Sequence, residues 1–323
     1  MLTLWQLYLG SALLLSLLLL VIGYVYEWTG ERREARLNPA SGRLISVGNH
    51  KLHLLSKGST APAVVIEQGA GELSKFWWPL QEEIAKFAQV CIYDRAGYGW
   101  SESAPLRKSI EDRTRELHTL LSEAGVQGPF ILVAHSYGGF LVRAFAQDYP
   151  GQVAGLVLVD TPDESTIFQS EILAFYSKAR VVNRVVGLIA RFGVLRLLRN
   201  WVPLDRFGLW LTRPSEYAAL CDDLLSLELV PAPLRASKSA GSLGSLPVIV
   251  ITHGQPFPGP FAVLEKNWSD GQARLASLST DSVLMVAKES NHMIQQDEPA
   301  LVVDAIRRMH EAVKNGTSLV LSQ

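Results

Sequence analysis

The chain contains the stretch Phe130-Ile-Leu-Val-Ala-His-Ser-Tyr-Gly-Gly139, an apolar run that leads into a serine between small residues. Such a run is typical of a buried strand, and a helical pattern begins directly after it. A sharp turn between the strand and the helix would lift the Ser136 hydroxyl above the sheet, because Ala134 and Gly138 leave room for the backbone. The helix would also direct its N-terminal N–H groups and positive dipole end toward that hydroxyl. The stretch therefore predicts a nucleophile elbow, and the alternative is a surface serine in an ordinary turn.

A histidine near the C-terminus has the position that a partner of Ser136 needs. The segment Ser282–Ala287 is typical of a buried strand, and His292 follows it on a loop that precedes a second helical pattern, Ala300–Val313. From that loop His292 is placed to return over the sheet to Ser136. There a neutral imidazole can take the hydroxyl proton and deliver it to the leaving group. The alternative is a loop histidine that caps a turn.

In their order along the chain, these patterns resemble the α/β-hydrolase superfamily from Gly42 to Val313. Three further stretches carry the resemblance: Arg43–Leu54 is similar to the opening β-hairpin, Ala63–Gly71 to a strand with its oxyanion loop, and Val90–Ser101 to the Asp-Arg-x-Gly-x-Gly-x-Ser segment. The resemblance implies an α/β fold with a mostly parallel central sheet, flanking helices and a helical cap insertion. Within the superfamily, the chain resembles the capped, esterase- or lipase-like members that use a serine nucleophile. The superfamily is too diverse for this resemblance to identify a substrate.

The resemblance also implies a carboxylate between the serine and the histidine in chain order. Many members carry it after the penultimate strand, here Leu246–Gly254, but no carboxylate follows that strand before Glu265. The preceding strand begins at Val153 and ends in Asp160, and some relatives place the acid there. Asp160 is therefore the first choice.

In that role, Asp160 would accept the ring N–H of His292, fix its tautomer and stabilise the imidazolium. Asp163 is the second choice for the acid, and Asp270 is the third. The alternative role for Asp160 is to cap the N-terminus of the following helix.

Two backbone N–H groups are expected to stabilise the negative charge that develops on the substrate oxygen. One belongs to Tyr137, the residue after the nucleophile. The other belongs to the loop Gly69-Ala-Gly71, and Ala70 is the first choice. The choice stays open by one residue, because Gln68-Gly69 stands where the family often has His-Gly.

Other polar residues of these motifs are interpreted as structural. Asp94 and Arg95 are expected to brace the glycine turn at residues 97–99. His135 and His253 are interpreted as packing or hydrogen-bonding histidines. We predict no metal and no cofactor, because the sequence contains no Cys/His metal-ligand spacing, no P-loop and no G-x-G-x-x-G after a strand.

The N-terminus is typical of a separate module. Residues 1–26 carry no charged side chain and include the run Leu13–Ile22, and about 20 apolar residues are enough to span a bilayer core. Aromatic residues lie near both ends of this segment, as in an interfacial belt: Trp5, Tyr8, Tyr24, Tyr26 and Trp28. A cleavable signal would have a basic start and a shorter apolar core that ends at small residues. We therefore predict an uncleaved transmembrane anchor over residues 1–28 and a linker over residues 29–41.

The charges that flank this segment predict its orientation. Arg32, Arg33 and Arg36 follow the apolar segment, and no basic residue precedes it. By the positive-inside rule, the single-pass anchor then leaves the catalytic domain facing the cytoplasm.

The rest of the chain divides into four predicted parts: a first part of the core at 42–160, a helical cap at 161–245, a second part of the core at 246–314 and a tail at 315–323. Proline breaks between the cap helices are expected at Pro203, Pro214 and Pro231-Ala-Pro233. Arg180, Arg184 and Arg191 would fall within about 40° of one another on one cap helix. This stripe is either a contact for anionic lipid headgroups beside the anchor or a solvated helix face.

Together these features predict a membrane-anchored serine hydrolase that cleaves a lipophilic carboxylic ester through an acyl-enzyme. Amidase, thioesterase and acyltransferase activities share that intermediate and stay open. A non-hydrolytic signalling or ligand-binding module with the same three side chains is the alternative of a different class. The expected partners are a small-molecule ester or lipid-like substrate and the membrane, since a net charge of −1 argues against nucleic acid. Cys91 and Cys221 imply no disulfide framework.

Overall fold

The computed structural model describes residues 3–105, 108–199, 201–202, 211–228 and 241–320. The strands of this part of the chain are β1 (Arg43–Ser46), β2 (Lys51–Lys57), β3 (Val64–Glu67), β4 (Val90–Tyr93), β5 (Phe130–His135), β6 (Val153–Val159), β7 (Val248–His253) and β8 (Ser282–Ala287). They form one sheet in the order β1-β2-β4-β3-β5-β6-β7-β8. The pairs β1–β2 and β2–β4 are antiparallel, and all the other pairs are parallel. This topology confirms the predicted α/β fold.

The helices in the described ranges are α1 (Leu4–Leu37), α2 (Trp78–Ile84), α3 (Ile110–Ala124), α4 (Gly138–Asp148), α5 (Glu164–Ile167), α6 (Ser170–Ala190), α7 (Val194–Leu198), α8 (Pro214–Glu228), α9 (Trp268–Ser277), α10 (Ile294–Asp297) and α11 (Pro299–Asn315). Helices α3, α4 and α9 pack against one face of the sheet, and α2 and α11 pack against the other. Parallel strands that are covered on both faces have sequences of consecutive apolar residues. In β5 all six residues are buried, and alternate side chains enter the two opposite cores.

The parallel strands bring the polar loops of the sequence to one edge of the sheet. The loop Gly69–Gly71, which is expected to be the oxyanion loop, follows β3. Ser136 follows β5, Asp160 follows β6, and His292 lies on the loop after β8. Because the carboxyl ends of parallel strands share an edge, four loops that are distant in sequence meet there, where open α/β sheets bind their ligands.

Helix α1 is longer than the predicted anchor. It continues through Leu37, so most of the segment 29–41 that was predicted as a linker is helical. The helix is long and apolar enough to cross a membrane, with a mean hydropathy of 2.2 over its most apolar window. Its N-terminus is capped by Thr3, whose side chain accepts a hydrogen bond from the backbone N–H of Gln6.

Helices α5 to α8 lie between β6 and β7, in the segment where a cap is expected. Pro214 is the first residue of α8, a position that suits proline because its missing N–H has no partner within the helix. The breaks expected at Pro203 and Pro231–Pro233 lie outside the described residues. In the predicted tail, Leu319 is fully buried against the core, so at least this part of the segment packs on the domain.

Candidate active site

Ser136 joins β5 to α4, and its backbone φ is 49°. The left-handed region is uncommon for a residue with a side chain, and strain of this kind concentrates at functional sites. A Cβ added at Gly138 would lie 2.7 Å from the carbonyl oxygen of Glu67, so the turn has no room for a side chain there. At the other small position, the methyl group of Ala134 is accommodated in the core. The strained strand-to-helix turn that the elbow pattern predicts is therefore present.

The structure brings Ser136, His292 and Asp160 into one hydrogen-bonded chain. The Nε2 atom of His292 lies 2.9 Å from Ser136 Oγ, and its Nδ1 atom lies 2.7 Å from Asp160 Oδ2. The three side chains come from separate loops at the same edge of the sheet. An imidazole that donates from Nδ1 to a carboxylate leaves Nε2 to accept the hydroxyl proton, so the tautomer follows from the hydrogen-bond pattern. Such an arrangement can activate a serine for attack on a carbonyl carbon.

Asp160 is buried and accepts more hydrogen bonds than the predicted one from His292. The ring Nδ1 atom of His253 lies 2.8 Å from each carboxylate oxygen, and the Nε1–H of Trp268 donates to Oδ1 at 3.0 Å. His253 is thus a hydrogen-bonding histidine, as expected, but its partner is the carboxylate that His292 uses. The sequence carries no local signal for this sharing, because Asp160 follows β6 and His253 ends β7, far away in the chain.

The other carboxylates considered for this position have different surroundings. Asp163 is the N-cap of α5, where its side chain accepts from the backbone N–H of Thr166, and it pairs with Arg274 at 2.7 Å. The capping role that was the alternative for Asp160 therefore belongs to Asp163. Asp270 is exposed in the first turn of α9. In the described part of the chain, the carboxylate that contacts the His292 ring is Asp160.

The electrostatics of the site suit a neutral base beside an ionised acid. Burial alone would raise the pKa of Asp160, but hydrogen bonds from His253 and His292 hold that pKa well below its usual range. Burial lowers the pKa of His292, although the hydrogen bond to Asp160 opposes the change. At neutral pH the imidazole is then available to accept a proton.

The loop after β3 packs against the serine. A Cβ added at Gly69 would lie 3.2 Å from Ser136 Cβ. The N–H of Gly69 donates to Glu72 Oε2 at 2.9 Å, and the N–H of Gly71 donates to the Tyr98 hydroxyl at 3.2 Å. Between them, the N–H of Ala70 has no acceptor within the described ranges. It is the loop donor that stays available to a substrate oxygen.

Arg95 holds this loop in place. Its guanidinium donates to the carbonyl oxygens of Gln68 and Gly69, each at 2.7 Å, and pairs with Glu67 at 2.6 Å. It also binds Asp223 of α8 at 2.9 Å, so one buried cation joins the oxyanion loop to the helices above it. Arg95 was expected to brace the turn at residues 97–99, and its guanidinium does lie over the ring of Tyr98, 5.4 Å from the ring centroid. Its hydrogen bonds, however, reach the loop after β3 and helix α8.

Asp94 forms the side-chain hydrogen bonds that brace the same turn. The carboxylate accepts hydrogen bonds from the backbone N–H of Trp100 at 3.1 Å and from His53 Nδ1 at 2.9 Å. A Cβ at Gly99 would collide with it. Asp94 therefore contacts this turn through hydrogen bonds, and Arg95 contacts it through the ring of Tyr98.

A buried ion pair connects the oxyanion loop to the histidine loop. His135 Nδ1 lies 2.8 Å from Glu72 Oε1, and His135 Nε2 donates to the backbone carbonyl oxygen of His292 at 2.8 Å. Burial alone would raise the pKa of Glu72, but His135 lowers it to about 2. Glu72 also accepts from the Gly69 N–H, so it positions both loops. Sequence reasoning missed Glu72, because nothing in the local pattern distinguishes it from a surface carboxylate.

Known proteins share this fold and chain order. The family model of the alpha/beta hydrolase fold matches residues 62–197. The uncharacterized protein YqjL of Bacillus subtilis is 27% identical over 250 residues, which cover 77% of this chain and 84% of that protein. A thermophilic esterase from Thermogutta terrifontis superposes with a TM-score of 0.64 and 22% identity over 84% of this chain and 97% of its own. The Cif epoxide hydrolase from Acinetobacter nosocomialis gives a TM-score of 0.67 and 14% identity over 88% and 96%.

The chain belongs to the α/β-hydrolase superfamily. At these identities the solved structures establish the fold, and the esterase and the epoxide hydrolase illustrate that one fold carries different hydrolytic chemistries. The reaction must therefore be argued from the site itself.

Proposed function

We propose that this protein is a serine hydrolase that cleaves carboxylic esters of lipophilic substrates. The observation that carries the proposal is the continuous chain Ser136 Oγ–His292 Nε2 at 2.9 Å and His292 Nδ1–Asp160 Oδ2 at 2.7 Å, with the serine on a strained elbow. This arrangement supports nucleophilic catalysis by an activated hydroxyl.

In the proposed mechanism, Ser136 Oγ attacks the ester carbonyl carbon while His292 Nε2 takes the hydroxyl proton. The negative oxygen of the tetrahedral intermediate accepts hydrogen bonds from the N–H groups of Ala70 and Tyr137. The imidazolium, stabilised by Asp160, then gives its proton to the alcohol oxygen as the C–O bond breaks. A water molecule then attacks the acyl-enzyme while His292 takes its proton. The imidazolium returns that proton to Ser136 Oγ as the acyl C–O bond breaks, which releases the acid and the free serine.

The identity of the nucleophile favours acyl transfer over the other chemistries of the superfamily. The related epoxide hydrolases and dehalogenases use an aspartate as the nucleophile, and this chain has Ser136 at that position. The surroundings favour a lipophilic acyl group, since Tyr137, Phe257 and Trp268 belong to one apolar cluster with side chains of α6 and α8. Thioesters, amides and acyl transfer to an alcohol would use the same intermediate.

A substrate panel tests this function on the full-length chain in detergent. We expect turnover of p-nitrophenyl esters, with a preference for longer acyl chains, and no turnover of an epoxide or a haloalkane. A fluorophosphonate should abolish turnover and add its phosphonyl group to Ser136, as measured by peptide mass spectrometry. Labelling without turnover of any acyl substrate would instead indicate a binding module, and epoxide turnover would contradict the proposed nucleophile.

We further propose that the segment 1–28, which contains the first part of α1, anchors the protein, with the core at 42–160 and 246–314 and the cap at 161–245 on the cytoplasmic side. The apolar segment carries no charge up to Tyr26, and Arg32, Arg33 and Arg36 follow it. Cytoplasmic loops are enriched in such arginines.

Protease accessibility tests this topology. Protease added to right-side-out vesicles should leave the domain from Arg43 to Val313 intact, and permeabilised vesicles should lose it. A known protein of the cytoplasmic side, which protease should reach only after permeabilisation, serves as the control for sealed vesicles. Digestion in sealed vesicles, or a mature chain without Met1–Tyr26, would contradict the proposed topology.

A further inference from the structure

Helix α1 packs directly on the hydrolase domain through one helical face. Glu27 is buried there and accepts hydrogen bonds from Arg196 of α7 at 2.8 and 2.9 Å, and Arg196 also pairs with Glu34 at 3.0 Å. Gly23 allows the backbone of Phe192 to approach, because an added Cβ would collide with the Phe192 carbonyl oxygen. Glu27 and Glu34 lie two turns apart on one face, so the contact fixes α7 against the end of the apolar segment.

This contact also places α7 at the level of the end of the apolar segment, as measured along the axis of α1. A Cβ added at Gly193, just before α7, would lie 2.6 Å from the ring of Tyr26. Tyr26 belongs to the aromatic group at the end of the apolar segment, together with Tyr24 and Trp28, and such side chains sit at the level of lipid headgroups. The turn between α6 and α7 therefore lies at the membrane interface whenever α1 spans the bilayer.

At this level the domain exposes apolar side chains. They are between 41% and 82% exposed, and we call them the α6–α7 apolar face: Val182, Val185, Leu188, Leu197, Leu198 and Trp201. On α6, the first three occupy an arc of about 120°. Between residues 181 and 189 this arc contains no charged side chain, and Arg184 lies about 40° outside it. An apolar patch of this kind on a protein that is otherwise well packed marks an interaction site.

The arginine stripe flanks this face, and its members differ. Arg184 and Arg191 are exposed, whereas Arg180 is paired with Glu228 of α8 at 2.7 Å and is mostly buried. The stripe of three arginines expected from the sequence is therefore reduced to two. An apolar arc with cationic side chains along its border is typical of a helix that lies in a membrane interface.

We propose that the α6–α7 apolar face is immersed in the headgroup–acyl boundary of the same bilayer that α1 spans. The proposal rests on the proposed anchor. It also deepens the proposed function, because one half of α6 packs near the site and the other half is exposed toward the proposed membrane. Phe175 and Tyr176, in its N-terminal half, belong to the apolar cluster that includes Tyr137 beside the serine. Leu188, in its C-terminal half, points out of the domain. One helix then connects the acyl region of the membrane to the site, which suits a substrate drawn from the bilayer.

The depth of single side chains tests this proposal in the full-length chain. An NBD fluorophore is attached to Leu188→Cys in vesicles of phosphatidylcholine and phosphatidylglycerol that contain a doxyl-labelled lipid. Cys91 and Cys221 are buried, and burial raises the pKa of both thiols, so they react slowly with the label. Two control sites are Leu14→Cys within α1 and Gln127→Cys, which precedes β5 at the opposite edge of the sheet.

We expect a doxyl group near the top of the acyl chain to quench the probe at residue 188 and not the probe at residue 127. The probe at residue 14 should be quenched best by a doxyl group deeper in the chain. Quenching at 14 with none at 188 would overturn the proposal and leave the anchor intact. Quenching at neither site would overturn the anchor too, while ester turnover would still stand as evidence for the hydrolase. Disulfide cross-linking between two copies of the Leu188→Cys variant, without lipid quenching, would overturn the proposal in favour of a second copy.

A kinetic comparison provides an independent readout. The triple variant Val182→Gln, Val185→Gln, Leu188→Gln should hydrolyse a long-chain ester dispersed in vesicles at least roughly tenfold more slowly, since each buried apolar side chain contributes substantially to insertion. Its turnover of a water-soluble short-chain ester should be unchanged. The matched control is Leu284→Gln with Val286→Gln, two exposed apolar positions on β8 outside the face. Equal slowing of both substrates, or no slowing of either, would overturn the proposal.

Discussion

Replacement of Ser136 by alanine should lower ester turnover by at least roughly three orders of magnitude, as expected for loss of a nucleophile. Alanine removes Oγ, the atom that lies 2.9 Å from His292 Nε2, and the acyl-enzyme cannot form there without it. The backbone N–H of Ser136 donates to the Val159 carbonyl oxygen and is retained, so the fold should survive. Turnover of a p-nitrophenyl ester and thermal unfolding of the same preparation separate the two effects.

The matched control is Ser277→Ala. Ser277 ends α9 on the surface, and its hydroxyl caps the carbonyl oxygen of Arg274. This variant should keep wild-type turnover and fluorophosphonate labelling, whereas Ser136→Ala should lose both. If Ser136→Ala keeps more than about a tenth of the wild-type activity, far above the expectation for a lost nucleophile, the hydrolysis proceeds through another group.

Replacement of Asp160 by asparagine should also lower turnover by roughly three orders of magnitude or more, because the NH₂ group of the amide cannot accept a hydrogen bond and must face one of the donors around the carboxylate. Asp160 binds His292 at 2.7 Å and His253 at 2.8 Å, so the NH₂ group of asparagine would oppose one of these donors. His292 would then adopt the wrong tautomer or turn away from Ser136. The lost negative charge should lower the pKa of His292 further, and the acid limb of the pH–rate profile should move to lower pH.

Stability gives this variant a second signature. Because the pKa of folded Asp160 lies below the unfolded value of about 3.9, its ionisation contributes stability above about pH 4 that is lost as the pH falls through the folded pKa. The asparagine variant should therefore unfold at a lower temperature at pH 7 and lose less stability on acidification. Thermal unfolding at several pH values measures both.

Two carboxylates of the same region serve as controls. Asp163→Asn should destabilise α5 and its pairing with Arg274 but leave turnover nearly intact, because Asp163 does not contact His292. Asp270→Asn should change neither property, since the side chain is exposed. A large loss of turnover in either control, with an active Asp160→Asn variant, would move the acid to that residue.

Much of the fold and the chain order of the site could be predicted from local patterns. The run Phe130–His135 is apolar in all but its last residue, and a buried parallel strand has that composition. Small residues around Ser136 indicate a tight turn, since the backbone at Gly138 has no space for a side chain. The uncharged N-terminal segment predicts an apolar helix by length alone. Each of these properties depends on residues that are adjacent in the chain and can therefore be predicted from the sequence.

Contacts between distant segments could not be predicted in this way. Arg95 was expected to brace its own turn, but its hydrogen bonds reach back to the loop after β3 and across to Asp223. Glu72 gave no signal at all, although it joins the oxyanion loop to His135 and the loop of His292. A long or charged side chain meets a distant partner only after the strands have assembled into the sheet. The spacing of residues along the chain therefore does not predict which partner it contacts.

The N-terminal helix illustrates both sides of this division. Its sequence determined that residues 1–26 are uncharged and mostly apolar, because that property is a sum over neighbouring residues. Tertiary structure alone decided that Glu27 is buried against Arg196, 169 positions away, and that α7 thereby meets the end of the apolar segment. The presence of Glu27 in the sequence does not predict its burial. A charged side chain is buried only where the fold brings an oppositely charged partner to it.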